Sequence, residues 1–172
     1  KPTKSKIWDK SKYLLCNSGS RKIMKVAVCL SGQPRFFDKG FQYFKNSLIG
    51  TDVDYFIHSW YDKSEIGVDL SHAAPTGQSP VGWKVTVDTD KELIRLFCPK
   101  HHLIERQKVF TPNQNFKLRN QTWQDPRVFM SMLYSRKRVG ELLMEYIKET
   151  GAKYDWVIFA RTDVAIQRPV LN

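Results

Sequence analysis

Tyr154-Asp155-Trp156-Val157-Ile158-Phe159-Ala160-Arg161-Thr162-Asp163-Val164 is the stretch whose reading decides the fold. Residues 157–160 form an unbroken apolar run, too short for a globular helix and rich in β-forming types. Such a run suits a buried parallel strand covered on both faces by helices. Arg161 and Asp163 then arrive at the carboxyl end of that strand, where open α/β sheets bind ligands. A carboxylate there can hold a divalent cation, and the cation a diphosphate. Arg161 can pair with Asp163 or grip a phosphate through two parallel hydrogen bonds. A purely structural Arg–Asp ion pair at a strand end is the alternative.

The segments before it fit the same architecture. Asp125 and Pro126 open the longest helix as cap and first-turn proline. Val128, Met132, Val139, Leu142, Leu143, Tyr146 and Ile147 make its apolar face, and Gly151 stops it. Ser131, Ser135 and Arg138 lie on a neighbouring stripe. A first strand is expected at 23–30, followed by the turn Ser31-Gly32-Gln33-Pro34-Arg35. Phe37, Phe41, Phe44 and Leu48 then recur at helical spacing, so a helix runs from near Pro34 to Gly50, weakened slightly by Gly40. A glycine turn feeding a helix favours anions. An ordinary βα turn with a solvated Arg35 is the other reading. A second strand at 53–57 ends in His58-Ser59-Trp60, which completes a βαβ unit. His58 and Trp60 can stack on a base or bond a ribose there, or simply anchor the loop. Beyond them we expect a long loop over 64–81 and short strands at 85–87 and 102–110. A helix over 91–97, capped by Asp88 or Thr89, lies between the two strands, and a polar loop over 111–124 follows. The fold class is therefore α/β, a mostly parallel sheet flanked by helices.

Composition narrows the function. The 172 residues suit one domain over 23–172, preceded by a basic extension over 1–22 with a linker at Asn17-Ser18-Gly19-Ser20. The net charge is +11, and the first 25 residues hold eight basic side chains against Asp9 alone. Such a leader can attract nucleic acid, anionic lipid or an acidic partner, or it can be a solvated extension. No stretch is apolar for 18 residues, and the N-terminal residues lack the apolar core of a signal peptide. Cys16, Cys29 and Cys98 have no CxxC spacing, so reduced thiols in the cytoplasm are expected. The four histidines show no HxxxH or HExxH pattern, and there is no GxSxG, so nucleophilic hydrolase chemistry is unsupported. Asp52-Val53-Asp54 opens a strand at the wrong end for a ligand. Asp88-Thr89-Asp90 is explained by helix capping and the helix dipole.

Four blocks together resemble a known family. They are Ser31-Gly32-Gln33-Pro34-Arg35-Phe36-Phe37 with the strand before it, Asp54-Tyr55-Phe56-Ile57-His58-Ser59-Trp60, Phe129-Met130-Ser131-Met132-Leu133-Tyr134-Ser135, and 154–163. Their order resembles GT-A-type glycosyltransferases of bacteria, large DNA viruses and phages over roughly residues 24–166. The resemblance implies transfer of a sugar from a UDP- or GDP-sugar to a glycan or other hydroxyl acceptor, assisted by Mn²⁺ or Mg²⁺. It implies that Ser31, Gly32, Gln33, Arg35, His58 and Trp60 contact nucleotide. Ser135 and Arg138 would then face sugar or phosphate, and Asp163 would hold the metal. Arg161 stands where the family's first aspartate usually does, and arginine cannot ligate a cation. Only nine residues follow Asp163, so a fragment or a truncated product without the acceptor half is expected. Two other classes compete. One is a non-catalytic binding module for nucleic acid or an acidic partner, driven by the basic leader. The other is a nucleotidyltransferase-like domain.

Overall fold

The computed structural model describes residues 23–68, 83–111 and 126–164. Four strands form one parallel sheet: β1 (Lys25–Gly32), β2 (Asp52–Trp60), β3 (His101–Glu105) and β4 (Trp156–Ala160), in the order β3-β2-β1-β4. Helices α1 (Phe37–Ser47), α2 (Thr89–Phe97) and α3 (Pro126–Thr150) connect them. Side chains alternate across a strand, so β1 feeds two cores. Val26, Val28 and Leu30 pack with Phe37, Phe44, Leu93 and Phe97 beneath α1 and α2. Ala27 and Cys29 pack with Phe56, Val139 and Leu143 beneath α3. The α/β class read from the sequence is therefore correct. The chain turns outward in opposite directions from β1, and the crevice between β1 and β4 is the switch point at which such sheets bind ligands.

Several boundaries move. β2 runs on through His58 and Trp60, so these residues belong to the strand and not to the loop after it. β3 ends at Glu105, well before 110. Residues 85–87 form no strand. Val85 exchanges two backbone hydrogen bonds with the chain at 67–68, its own N–H reaching the Val68 carbonyl at 3.1 Å. Helix α2 starts at Thr89, but Asp88 does not cap it: its carboxylate accepts from Lys91 at 2.9 Å, and Thr89 Oγ1 accepts the Thr86 N–H at 2.8 Å. The linker at 17–20, most of the 64–81 and 111–124 loops, Asp125 and Cys16 lie outside the described residues.

Two corrections matter more. β4 is parallel, but it is the outer strand of the described sheet, with Trp156 54% exposed and Val157 and Phe159 also open. Five apolar residues in a row suit a central strand and a one-sided one equally, because the run does not say how many neighbours pair with it. The polar side of α3 was also misjudged. Ser135 is buried with Val139 and Leu143, while Val128 is 67% exposed and Met132 is open as well. A hydroxyl can be buried when it finds a partner, and Ser135 finds one in His58.

Gly40 also has a different role from the one expected. It does not merely weaken α1. A Cβ placed there would lie 1.7 Å from the Thr162 carbonyl oxygen, so only glycine lets the helix reach the end of β4. Thr162 is itself buried, and its Oγ1 donates toward the Gln33 and Arg35 carbonyls at 3.1 and 3.3 Å. Gly40→Ala is therefore expected to destabilise the fold by about 2 kcal/mol or more, as overpacking does. Gly140→Ala, whose Cβ would meet only Phe159 at 3.9 Å, is expected to be neutral or slightly stabilising. Urea titrations of both variants against the parent check this; equal midpoints for the two would refute the packing argument.

Candidate functional site

The register puts Ser31 beside His58 and Gly32 beside Ser59, so the β1 and β2 ends share one rim. β4 pairs with β1 up to Ala160, which brings Arg161 and Asp163 to that rim as well. Gly32 adopts φ 116°, a conformation that L-residues rarely take, and it turns the chain toward Arg35. The rim opens into a cavity of about 500 Å³. Its walls come from the β1 turn (Ser31, Gly32, Gln33, Arg35), from Trp60, from the chain after β3 (107–110), from the first turns of α3 (Arg127, Ser131, Ser135) and from Arg161.

The wall is cationic. Arg35, Lys108, Arg127 and Arg161 line it, and among the described residues no carboxylate does. Asp163 sits just behind. Arg161 Nε donates to its Oδ1 at 2.9 Å and Arg161 Nη2 to its Oδ2 at 2.5 Å. Arg35 Nη2 approaches the same Oδ2 at 3.2 Å. Burial and the neighbouring Arg161 lower the Arg35 pKa, and Asp163 opposes both effects. One carboxylate thus holds two guanidinium groups side by side.

A second network stands behind the Trp60 wall. His58 is buried, with Nδ1 2.6 Å from Ser135 Oγ and Nε2 2.9 Å from Glu105 Oε2. Burial pushes Glu105 up, but hydrogen bonds from Lys108, His58 and Tyr134 outweigh this and hold it at about 2. An ionised Glu105 can only accept, so His58 carries its proton on Nε2. Nδ1 is then the acceptor and takes the Ser135 hydroxyl proton. Toward the cavity, Ser135 can offer only an oxygen acceptor. Trp60 stacks on Tyr134 at 5.5 Å, and Phe110 closes the same aromatic group.

Ser31, Gly32, Gln33, Arg35, Trp60, Ser135 and Arg161 therefore converge on one cavity, as the sequence suggested. His58 does not reach it; it lies behind the wall with both ring nitrogens engaged. Arg138 does not reach it either. Its guanidinium is turned to Glu141, with Glu105 at 3.9 Å. Asp163 serves the arginines from the second layer. Sequence reasoning missed Glu105, Lys108, Phe110, Arg127 and Tyr134. The first three lie in a segment that was read as strand without a clear face. Only the i, i+3 spacing of Glu105 and Lys108 hinted at a pair. Asp54, in the strand-opening triplet set aside above, is buried at the far end of the sheet against Lys25, Lys100 and Tyr154. No helix among the described residues is long and apolar enough to cross a membrane. No protein family, no curated protein and no solved structure matches the chain.

The buried relay has a pH signature. Burial pushes His58 below its ordinary 6.5, against the pull of Glu105. The unfolded chain takes up that proton first, so the His58 contribution to stability is whole above pH 6.5 and is lost as the pH falls through the lower folded value. Glu105 loses its own contribution only further down, between its ordinary 4.5 and about 2. Denaturant midpoints should fall as the pH drops below 6.5, and His58→Gln should flatten that slope while costing about 1–3 kcal/mol at neutral pH. An unchanged slope in the variant would show that His58 is not the titrating group.

Proposed function

We propose that this chain is the donor-binding part of a glycosyltransferase that takes its sugar from a nucleoside-diphosphate sugar. The observation that carries the reading is the cavity at the β1/β4 switch point, which pairs a cationic wall with an aromatic one. A nucleoside diphosphate needs both: guanidinium groups for the phosphates and a flat apolar wall for the base. A volume of about 500 Å³ is that of a small-molecule site, which favours a mononucleotide over a nucleic-acid strand. Each of the four sequence blocks that resemble GT-A enzymes supplies part of the wall of this same cavity, and residues 107–110, Arg127 and Val128 supply the rest.

In this reading the bond from the sugar anomeric carbon to the diphosphate oxygen breaks, and a bond from that carbon to the acceptor oxygen forms. The acceptor proton leaves to a base. Negative charge grows on the departing diphosphate, and fixed cationic donors stabilise it without reorganising. Arg35 and Arg161 fill that role. Ser135, whose hydroxyl donates to His58, accepts from a ribose or sugar hydroxyl. Phe110 and Trp60 flank the base. The divalent cation that the resemblance implies does not fit the donor set around Asp163, because both oxygens already take guanidinium hydrogen bonds. No step here runs through it. A cytoplasmic location belongs to the same proposal; Cys29 and Cys98 are free thiols, in keeping with a reducing compartment.

UDP- or GDP-sugars should raise the melting temperature of the chain by mass action. A flat response across such a panel, at concentrations well above about 1 mM, would sink the reading, since donor sites rarely bind so weakly. Within a positive result, Phe110→Ala should weaken UDP or GDP by about 1–3 kcal/mol, the usual worth of a base stack, and leave inorganic pyrophosphate nearly unaffected. Equal losses for nucleotide and pyrophosphate would move the base away from Phe110.

A further inference from the structure

We infer that this chain grips the diphosphate with the pair Arg35 and Arg161, braced by Asp163, and that this grip needs no divalent cation. The inference rests on the nucleotide-sugar reading above and goes beyond it. An ionised aspartate offers about four lone-pair sites on its two oxygens, and a cation must share them with the protein donors already there. Here Oδ1 takes Arg161 Nε at 2.9 Å, while Oδ2 takes Arg161 Nη2 at 2.5 Å and Arg35 Nη2 at 3.2 Å. Guanidinium groups already take three of these sites, so a divalent ion at Asp163 would sit on what remains, beside two positive charges. Among the described residues, no three His, Cys, Asp or Glu side chains gather into a set able to hold a metal ion.

The same geometry suits an anion. Two guanidinium groups against one carboxylate leave an excess positive charge. Arg35 and Arg161 both line the cavity, beside Lys108 and Arg127. Arg161 spends two of its five N–H donors on Asp163 and keeps three for a ligand. Its side chain is 50% exposed, whereas that of Arg35 is 12% exposed and fixed in the wall. A planar fork matches two phosphate oxygens at once, which a point charge does not. Without Asp163, two adjacent guanidinium groups would repel and swing apart. The carboxylate keeps them together in the absence of ligand. Thr162, between the two ionic residues, is buried and bonded to the β1 turn, so the pair is held at a defined separation.

The test is isothermal titration of the full chain with UDP, GDP and inorganic pyrophosphate, once in EDTA and once in Mn²⁺. Affinities that agree within about threefold between the two buffers are expected. Arg161→Ala should weaken all binding ligands by more than about tenfold in EDTA, and Arg161→Lys should recover only part of it because the fork is lost. Asp163→Asn should weaken binding in EDTA by less than Arg161→Ala does, since it removes the brace and leaves both arginines. Near-identical circular dichroism and melting curves for the half-exposed Arg161 variants exclude misfolding as the cause. Binding that appears only with Mn²⁺ and vanishes in EDTA would overturn the inference and leave the nucleotide-sugar reading standing. Undiminished binding by Arg161→Ala in EDTA would overturn it too. No binding of any probe in either buffer would remove both.

Discussion

The contact between Gly40 of α1 and the carbonyl of Thr162 is the constraint on which the site depends. A helix can reach a strand end that closely only where no Cβ intervenes. The threonine hydroxyl then bridges to the Gln33 and Arg35 carbonyls, so the first βα turn and the end of β4 become one piece. Arg35 and Arg161 come from positions 126 residues apart, yet this contact makes them neighbours. A loop joining them would leave their separation to chance. The Thr162 hydroxyl bridge and the close approach at Gly40 together do not.

A second constraint acts from the other face of the sheet. α3 lays Ser135 against His58, and His58 against Glu105. Each member has one chemical choice left once Glu105 is ionised. The proton positions then follow without ambiguity, from the carboxylate through Nε2–H to Nδ1 and the serine hydroxyl. Glu105 also accepts from Lys108 and Tyr134, which ties the chain after β3 to α3. The aromatic wall of the cavity, Trp60 stacked on Tyr134, stands on this network. Burial of these polar groups is tolerable because nearly all their donors and acceptors are paired.

The two constraints give the cavity its polarity. Carboxylates lie behind the lining and point their charge at cations, while the cations face the open volume. Asp163 does this for Arg35 and Arg161, and Glu105 does it for Lys108. A layered arrangement of this kind keeps positive groups close without a ligand and leaves the outward donors of Arg161 for an anion. It accounts for a basic cavity better than net charge does, because much of the chain's excess charge sits in its first 25 residues.

The amino-acid sequence alone determined the α/β class, the parallel sense of β1, β2 and β4, and the arrival of Gly32, Arg35, Trp60 and Arg161 at one edge of the sheet. These follow from local rules: short apolar runs make strands, strands joined through helices pair in parallel, and loops at the carboxyl ends meet. It did not determine that β4 is the outer strand, that Ser135 is buried, or that Asp163 serves two arginines. Each of these depends on what lies opposite a residue across many positions of chain. The hydrophobic run of β4 reads the same with one neighbour or two. A serine on a helix reads as exposed until a histidine on another element accepts its hydroxyl hydrogen bond. The sequence shows Arg161 beside Asp163, and not the second guanidinium that the fold places 3.2 Å from it. Only the tertiary structure decided these points, because the energy of a polar group is set by its partners in space and the sequence states only its neighbours along the chain.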